Sequence, residues 1–322
     1  MQRTFTLGSR GSELALIQTE TVRNALAAAH GWSEEEAARF ARIRPMSTAG
    51  DRIQDKALRE FGGKGLFTKE IETALLEGRI DMAVHSMKDM PTVLPGGLVI
   101  PCVLPREAPN DVLLANVGTG LADLPQGGRL GVSSLRRRAQ ALRARPDLKT
   151  QDLRGNVNTR IKKLRQGDVD ATFLALAGLT RMGREDEAAC VLPTEEMLPA
   201  VAQGIVGVEV RTDDDEIRKT LAAIHCETTY LRLVAERSYL KRLDGSCRTP
   251  IAGLAEIEAG EMRLRGEVLS LDGAESYSVE RSAKLGANAL EAAEALGRAA
   301  AEALIDKAGE RFLAGIAAAI DP

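Results

Sequence analysis

The sequence predicts an α/β protein in which two α/β lobes flank a cleft and a smaller α+β domain follows. Strand-like and helix-like segments alternate from Thr4 onward, and the alternation begins again near Arg129 after a group of prolines. Beyond about Glu227 the pattern changes to a longer helix, alternating strand segments and an alanine-rich helix. We expect the first lobe at 1–104 and 204–222, the second at 108–198 and the C-terminal domain at 226–322.

Length and composition exclude several classes of protein. The chain has 322 residues, of which 44% are hydrophobic and 28% charged, enough to bury a core. Its longest apolar stretch, at 173–179, is far shorter than the roughly 20 residues of a spanning helix, and no apolar signal region begins the chain. We therefore expect a cytoplasmic protein without a membrane partner. No obvious apolar excess calls for a partner chain, so we expect a monomer.

The first lobe begins with a predicted strand at 4–7 that runs into Gly8-Ser9-Arg10-Gly11-Ser12. A helical apolar stripe follows, and Ser12 is a suitable N-cap for it. Further strands are predicted at 40–46 and 80–84, with an amphipathic helix between them around Ile71. The 80–84 run is almost continuously apolar, which is typical of a strand buried on both faces.

Asp89 and Lys88 follow this buried strand at its carboxyl end, where open α/β sheets bind their ligands. An ordinary surface aspartate paired with Lys88 is the plainer interpretation of Asp89. In a cleft lined by cationic groups, however, a single carboxylate would stabilise a cationic intermediate.

Prolines 101, 105 and 109 predict a hinge, because proline interrupts strand ladders. The second lobe then has predicted strands at 129–132, 149–153 and 169–174, and a strand at 205–210 is expected to cross back to the first lobe. The C-terminal domain is expected to contain a helix ending near Leu243, a strand at 262–269 and a helix at 287–305.

Positive charge is concentrated in the second lobe. Between Arg129 and Arg165 twelve Lys and Arg stand against two Asp, a local net charge of +10, so the rest of the chain carries −13. Two motifs, 133–137 and 153–160, each bring hydroxyl or amide groups and two arginines to a strand-to-helix junction. Such junctions suit carboxylate or phosphate ligands. The alternative is that these arginines cap helices or pair with surface acids.

Two further motifs concern chemistry. Gly62-Gly63-Lys64-Gly65 lacks the spacing of a phosphate-binding loop, and a lid or glycine turn is the better interpretation. Of four cysteines, Cys247 alone lies in a Gly-Ser-Cys turn between cationic residues, which favour a reactive thiolate. With four dispersed cysteines and three histidines we expect no metal site.

Six motifs together resemble the hydroxymethylbilane synthase family, also called porphobilinogen deaminase. They are GSRGS at 8–12, FGGKGLF at 61–67, AVHSMKD at 83–89, SSLRR at 133–137, LRGNV at 153–157 and GSC at 245–247. The resemblance implies two periplasmic-binding-protein-like lobes and a third domain that carries a dipyrromethane cofactor. It also implies a transferase of heme biosynthesis that joins four porphobilinogen molecules head to tail into hydroxymethylbilane and releases ammonia.

The resemblance also implies a role for individual residues. Cys247 would carry the cofactor through a thioether, and Asp89 would stabilise the azafulvene cation formed when ammonia leaves. Binding of the cofactor would fall to Lys88, Ser133, Arg136, Arg137 and Arg154. Binding of the substrate would fall to Arg10, Ser12, Phe67, Arg154, Arg160 and Arg181.

Two other functions are weighed against this one. A nucleic-acid-binding protein could use the basic block, but the chain has only 6 Phe, 3 Tyr and 1 Trp, and its remainder is acidic. A two-lobed module that binds an organic anion without chemistry would leave Cys247 without a role. We therefore expect porphobilinogen as the partner and no nucleic acid.

Overall fold

The structure is a computed structural model that describes residues 3–48, 68–243 and 249–320. The described residues divide into two compact units. The first comprises 3–48, 68–107 and 205–230, and the second comprises 108–204, 231–243 and 249–320. The second unit thus contains both the second α/β lobe and the C-terminal α+β region, and the three predicted domain boundaries stay a prediction.

The strands of the described residues are β1 Phe5–Arg10, β2 Ala41–Met46, β3 Met82–Ser86, β4 Leu98–Val103, β5 Asp111–Ala115, β6 Arg129–Gly131, β7 Lys149–Gln151, β8 Ala171–Ala175, β9 Cys190–Val191, β10 Val206–Arg211, β11 Ile251–Glu258, β12 Glu261–Leu269 and β13 Ser276–Lys284.

The α-helices are α1 Glu13–His30, α2 Glu34–Phe40, α3 Lys69–Leu76, α4 Leu135–Ala144, α5 Val157–Arg165, α6 Leu176–Arg181, α7 Asp215–Ala222, α8 Glu227–Arg242, α9 Ala289–Ala308 and α10 Glu310–Ile320.

The first unit is built on a sheet with the strand order β2-β1-β3-β10-β4. The strands β2, β1 and β3 are parallel, and β10 is antiparallel to both of its neighbours. The strand predicted at 205–210 therefore does return to the first sheet, which confirms that expectation. Apolar side chains of these strands pack with α1 and α7 around Leu7, Leu26 and Val208.

The second unit contains a sheet with the order β7-β6-β8-β5-β9. Here β7, β6 and β8 are parallel, while β5 is antiparallel to β8 and β9. Its two faces have separate clusters of buried side chains, one around Leu130 and Phe173 and the other around Ile161 and Val169. Two sheet-containing lobes are thus confirmed, and the cleft between them stays a prediction.

The C-terminal region is an antiparallel sheet of β11, β12 and β13 with α9 packed against β12 and β13. Helix α8 lies beside it, and the fully buried Tyr239 of α8 donates a hydrogen bond to the Ala252 carbonyl at 3.2 Å. The expected α+β character of this region is confirmed.

Several elements differ from the sequence prediction. Strand β1 extends through Arg10, so the 8–10 motif continues the strand instead of following it. Helix α2 includes Phe40, which was expected to begin a strand; its capping box of Ser33 and Glu36 is a signal that the sequence contains. Pro101 lies inside β4, and an edge strand tolerates proline because one side of it has no strand partner.

Helices α8 and α9 approach each other closely at Gly297. A Cβ atom there would overlap the Ala235 carbonyl oxygen and come within 2.9 Å of the Tyr239 nitrogen, both of which are backbone atoms. By contrast, the exposed Gly315 of α10 has open space around the position of a Cβ. The two glycines therefore form a matched pair in helices.

We expect Gly297→Ala to lower the free energy of unfolding by about 1–3 kcal/mol, since the backbone must move to accept the methyl group. Gly315→Ala should raise it by about 0.5–1 kcal/mol, since alanine favours a helix more than glycine does. Urea unfolding of both variants measures the difference. An equal effect of the two substitutions would contradict the close packing of α8 on α9.

Candidate functional site

The first unit brings four predicted site residues to one edge of its sheet. Arg10 is the last residue of β1, Ser12 follows it, and Lys88 and Asp89 lie in the 3-10 turn that follows β3. Because β1 and β3 are parallel neighbours, with Leu7 opposite Met82 and Gly8 opposite Ala83, their carboxyl ends meet at the same edge.

Hydrogen bonds hold this edge together. Gln18 of α1 and Ser86 at the end of β3 bond each other through their side chains, at 2.9 and 3.1 Å. The buried Ser9 hydroxyl donates to the Ala15 carbonyl, and the Met87 nitrogen donates to the Ile205 carbonyl at 2.9 Å. The backbone that carries the predicted site residues is thus fixed from two sides.

Asp89 itself is exposed, whereas Met87 and Met90 on either side of it are buried. The two methionines anchor the turn in the core, so the carboxylate is presented to solvent on a fixed backbone. His85, four residues earlier, lies within β3, where its Nε2 atom is 3.1 Å from the Oε2 atom of the fully buried Glu209. Sequence reasoning had not singled out Glu209.

The second unit has a similar edge, where β6, β7 and β8 end. Ser133 follows β6, Arg154 follows β7 and Arg160 lies within α5, while Arg181 ends α6, the helix that follows β8. Gly155 makes the turn after Arg154 possible, because its φ of +117° and its contact with Thr159 exclude a side chain. The predicted site residues of the second lobe therefore share one edge of this sheet, with Arg136 and Arg137 in the first turn of α4.

Three of these side chains make hydrogen bonds to backbone carbonyl groups. The Ser133 hydroxyl donates to Leu153 at 2.8 Å, Arg160 Nε donates to Gly155 at 3.0 Å, and Arg181 Nη2 donates to Gly204 at 2.7 Å. All three residues remain half-buried, so they are held in place without being withdrawn from solvent.

Arg136 and Arg137 lie deeper than the sequence suggested. Both are buried, and both donate to the carboxylate of Asp111, the first residue of β5. The alternative interpretation, in which these arginines pair with surface acids, is therefore partly correct. Both arginines do pair with an acid, but that acid is fully buried. An aspartate that begins a short apolar run after several prolines was the only local signal for Asp111.

The charge of this cluster is not balanced by Asp111 alone, since two guanidinium groups share one carboxylate. Burial by itself would raise the pKa of Asp111, but the charges of Arg136 and Arg137 hold it well below its ordinary value. Among the described residues, the buried Nε atom of Arg136 has no hydrogen-bond partner. Buried polar atoms are normally satisfied, so an acceptor such as a ligand carboxylate fits this position.

Two predicted site residues, Phe67 and Cys247, lie outside the described residues, as does the 62–65 glycine motif. Burial raises the pKa of Cys102 to about 12, which makes this thiol unreactive. In the ranges that the structure describes, no three His, Cys, Asp or Glu side chains are grouped as metal ligands. None of the helices described there has the length and apolar character needed to cross a membrane.

Fold and site together define an α/β protein that presents cationic side chains at the carboxyl edges of two sheets, with an α+β region following. Residues 5–219 match the family profile described as "Porphobilinogen deaminase, dipyromethane cofactor binding domain", and residues 230–306 match "Porphobilinogen deaminase, C-terminal domain". The chain belongs to the porphobilinogen deaminase family.

Relatives in this family are similar over most of their length. A porphobilinogen deaminase of Paracoccus denitrificans is 54% identical over 280 residues, which cover 87% of this chain and 88% of the relative. One of Nitrobacter winogradskyi is 50% identical over 307 residues, or 95% of this chain and 94% of the relative.

Among solved structures, a Salmonella typhimurium periplasmic binding protein with high arginine specificity is similar to this chain at 14% identity. The match covers 69% of this chain and 92% of that chain, with a TM-score of 0.37.

The N-caps of α1 and α5 differ in a way that bears on Ser12. Asn156 caps α5, because its side chain accepts from the Thr159 nitrogen at 2.9 Å. Ser12 has the extended conformation of an N-cap, but its side chain makes no such bond to the described first turn of α1. The Ser12 hydroxyl is therefore not needed to begin the helix.

We expect Asn156→Ala to lower the free energy of unfolding by about 1 kcal/mol, the usual cost of losing a cap. Ser12→Ala should change it by less than about 0.5 kcal/mol, because the substitution removes no cap of the described first turn. Urea unfolding measures both values. A cost for Ser12→Ala equal to that of Asn156→Ala would show that Ser12 has a capping role after all.

Proposed function

We propose that the protein joins four porphobilinogen molecules head to tail into the linear tetrapyrrole hydroxymethylbilane, on a covalent dipyrromethane primer, and releases ammonia at each addition. The observation that carries this proposal is the family match over 5–219 and 230–306, together with the cationic side chains at the carboxyl edges of two sheets. This activity makes the protein a transferase of heme biosynthesis. We further propose that it acts as a monomer in the cytoplasm.

The chemistry of the substrate explains the charge distribution. Each pyrrole ring carries an acetate and a propionate, so a growing chain accumulates carboxylates that need guanidinium and ammonium partners. Arginine suits this task because its planar fork of donors matches a carboxylate in two-point contacts. We propose that substrate carboxylates are bound by Arg10, Ser12, Arg154, Arg160 and Arg181, with Phe67 against a ring.

The residues present fit the dipyrromethane group. When bound, the group supplies the pyrrole carbon to which substrate rings are added. Cys247 is the proposed point of attachment, since neighbouring cations in the sequence favour its thiolate. Lys88, Ser133, Arg136, Arg137 and Arg154 would hold its carboxylates. The Nε atom of Arg136 supports this assignment, because it has no acceptor among the described residues and a ligand carboxylate would supply one.

Asp89 is the proposed catalytic residue. Its exposed carboxylate stands on a turn that the buried Met87 and Met90 hold in place, and its neighbours at the sheet edge include the cations Arg10 and Lys88. A fixed negative charge stabilises the positive charge that develops on the substrate when ammonia leaves. The same oxygens are able to accept hydrogen bonds from pyrrole N–H groups.

Intact-mass measurement tests the proposed function. The purified protein should be heavier than its sequence by two pyrrole units, and Cys247→Ser should remove the increment. Cys102→Ser is the matched control: it replaces a buried thiol of high pKa and should leave the increment unchanged. A wild-type protein at its bare sequence mass, after incubation with porphobilinogen, would contradict the proposal.

Replacement of Asp89 tests the catalytic assignment. We expect Asp89→Asn to reduce kcat by about 10²- to 10³-fold, the usual cost of losing one preorganised electrostatic group, with the fold intact. Asp186→Asn is the control, because Asp186 is exposed, and it should leave kcat unchanged. Asp81→Asn is not suitable, because Asp81 forms ion pairs with Arg3 and Arg211. Near-normal turnover of Asp89→Asn, at unchanged thermal stability, would remove Asp89 from the mechanism.

A further inference from the structure

We propose that Asp111 is a positioning residue that orients the guanidinium groups of Arg136 and Arg137 toward a ligand carboxylate. The inference rests on the proposed function, which assigns both arginines to the dipyrromethane primer. Asp111 itself stands at the start of β5 and does not belong to the motifs from which the site was predicted.

The two oxygens of Asp111 divide the arginines between them. Oδ2 accepts from Arg136 Nη1 at 2.7 Å. Oδ1 accepts from Arg137 Nη2 at 2.7 Å and from Arg137 Nε at 3.0 Å, and also from Gln203 Nε2 at 2.9 Å. One carboxylate thus receives four donor atoms from three side chains, which leaves it little freedom to rotate.

A second set of acceptors fixes the guanidinium groups further. The Leu198 carbonyl accepts from Arg136 Nη1 at 2.8 Å, and the Phe173 carbonyl accepts from Arg137 Nη1 at 3.1 Å. Gln140, one turn further along α4, holds the Leu198 backbone on both sides, since it donates to the carbonyl at 3.0 Å and accepts from the nitrogen at 2.8 Å. Each arginine is therefore held by the carboxylate and by one backbone carbonyl.

The burial of the cluster makes its charge count significant. Asp111 is 0% exposed, Arg136 3% and Arg137 7%, so water contributes little to stabilising the charges. Burial lowers the pKa of Arg136, and the nearby Arg137 lowers it further, while Asp111 opposes both effects. With one carboxylate against two guanidinium groups, the three side chains keep a net charge of +1.

The excess positive charge and a buried donor without an acceptor belong to the same cluster. Arg136 Nε has no acceptor within the described part of the chain, although the Nη1 atom of the same group has two. A ligand carboxylate would satisfy the Nε donor and neutralise the cluster at once. Asp111 therefore has two effects. It offsets the free-energy cost of burying the arginines, and it leaves one positive charge uncompensated on guanidinium groups whose orientation is fixed.

Stability alone does not require two arginines on one aspartate, because replacing a buried ion pair by apolar groups often leaves stability unchanged or higher. Loss of Asp111 alone, however, would leave two cations without a fixed partner. The side chains would then turn toward whichever acceptor or solvent they reach, and the geometry presented to a ligand would be lost. The effect should appear in the loading of the primer as well as in turnover.

The test compares full-length Asp111→Asn with wild type and with Thr172→Val. Thr172 is a matched control: it is similarly buried in the same sheet, and its hydroxyl donates a hydrogen bond of 2.7 Å to the Gly131 carbonyl. Apoprotein is incubated with porphobilinogen, and intact mass gives the fraction that carries the primer and the lengths of the bound chains. Thermal unfolding is followed in parallel.

We expect the rate of primer loading in Asp111→Asn to fall by at least about ten-fold, as for a lost charged hydrogen bond. Bound chains should also be shorter at limiting substrate, while Thr172→Val stays within about two-fold of wild type. Asp111→Glu, which keeps the charge, should recover part of the loading. Loading and chain lengths equal to wild type in a less stable Asp111→Asn protein would overturn the proposal.

A second variant applies if Asp111→Asn does not fold. Gln203→Leu keeps all three charges and removes one donor to Oδ1, so we expect a smaller loss of loading in the same direction; unchanged loading would overturn the positioning role. The wild-type arm separates the two hypotheses. Wild type without a primer mass contradicts the proposed function, whereas a loaded wild type with equally loaded Asp111 variants contradicts only this inference.

Discussion

Parallel strand pairing is the constraint on which the site depends. In each of the two α/β sheets three neighbouring strands are parallel, so their carboxyl ends reach one edge together. The loops that leave these ends carry the predicted binding residues, although the motifs are far apart in the sequence. Arg10 and Lys88, for instance, share an edge only because β1 and β3 are adjacent. Pairing in any other order would separate these groups, whatever their individual chemistry.

A protein that binds a polyacid must gather positive charge without losing its own stability. The second lobe does this in two ways. Arg154, Arg160 and Arg181 stay half-buried, where water still screens their charges, and Arg160 and Arg181 are steadied by backbone carbonyl groups. Arg136 and Arg137 are buried, and there a carboxylate is required because water no longer stabilises them. The high net charge of the 129–165 segment is thus compatible with a packed sheet. Asp111, which lies outside that segment in sequence, supplies the negative charge that its buried arginines need.

Elements with a strong local pattern could be predicted from the sequence, and contacts distant in sequence could not. Strands β3 and β8 are short apolar runs, and their burial follows from composition alone. Strands β4 and β9 escaped prediction because β4 contains a proline and β9 has only two residues, so neither gives a periodic signal. The candidate residues themselves were found by motif, whereas the depth of Arg136 and Arg137 depends on Asp111, a residue on another strand that local reading does not connect to them.

The segment between Leu198 and Gly204 links the arginine cluster to the C-terminal region. Its Leu198 carbonyl holds Arg136, and its Gln203 side chain holds Asp111. The same segment is fixed by Glu236 of α8, whose fully buried carboxylate accepts from the Ala202 nitrogen at 2.6 Å and from the Ala255 nitrogen at 2.7 Å. Ala202 has a φ of +62°, a costly conformation for alanine that persists only where neighbours enforce it. Helix α8 precedes Cys247, the proposed attachment point, in the sequence. This helix and the arginines proposed to bind the primer are therefore braced by the same few residues. Because one set of contacts supports both, the spacing between α8 and the arginine cluster is fixed, which suits arginines that must hold the same primer through repeated additions.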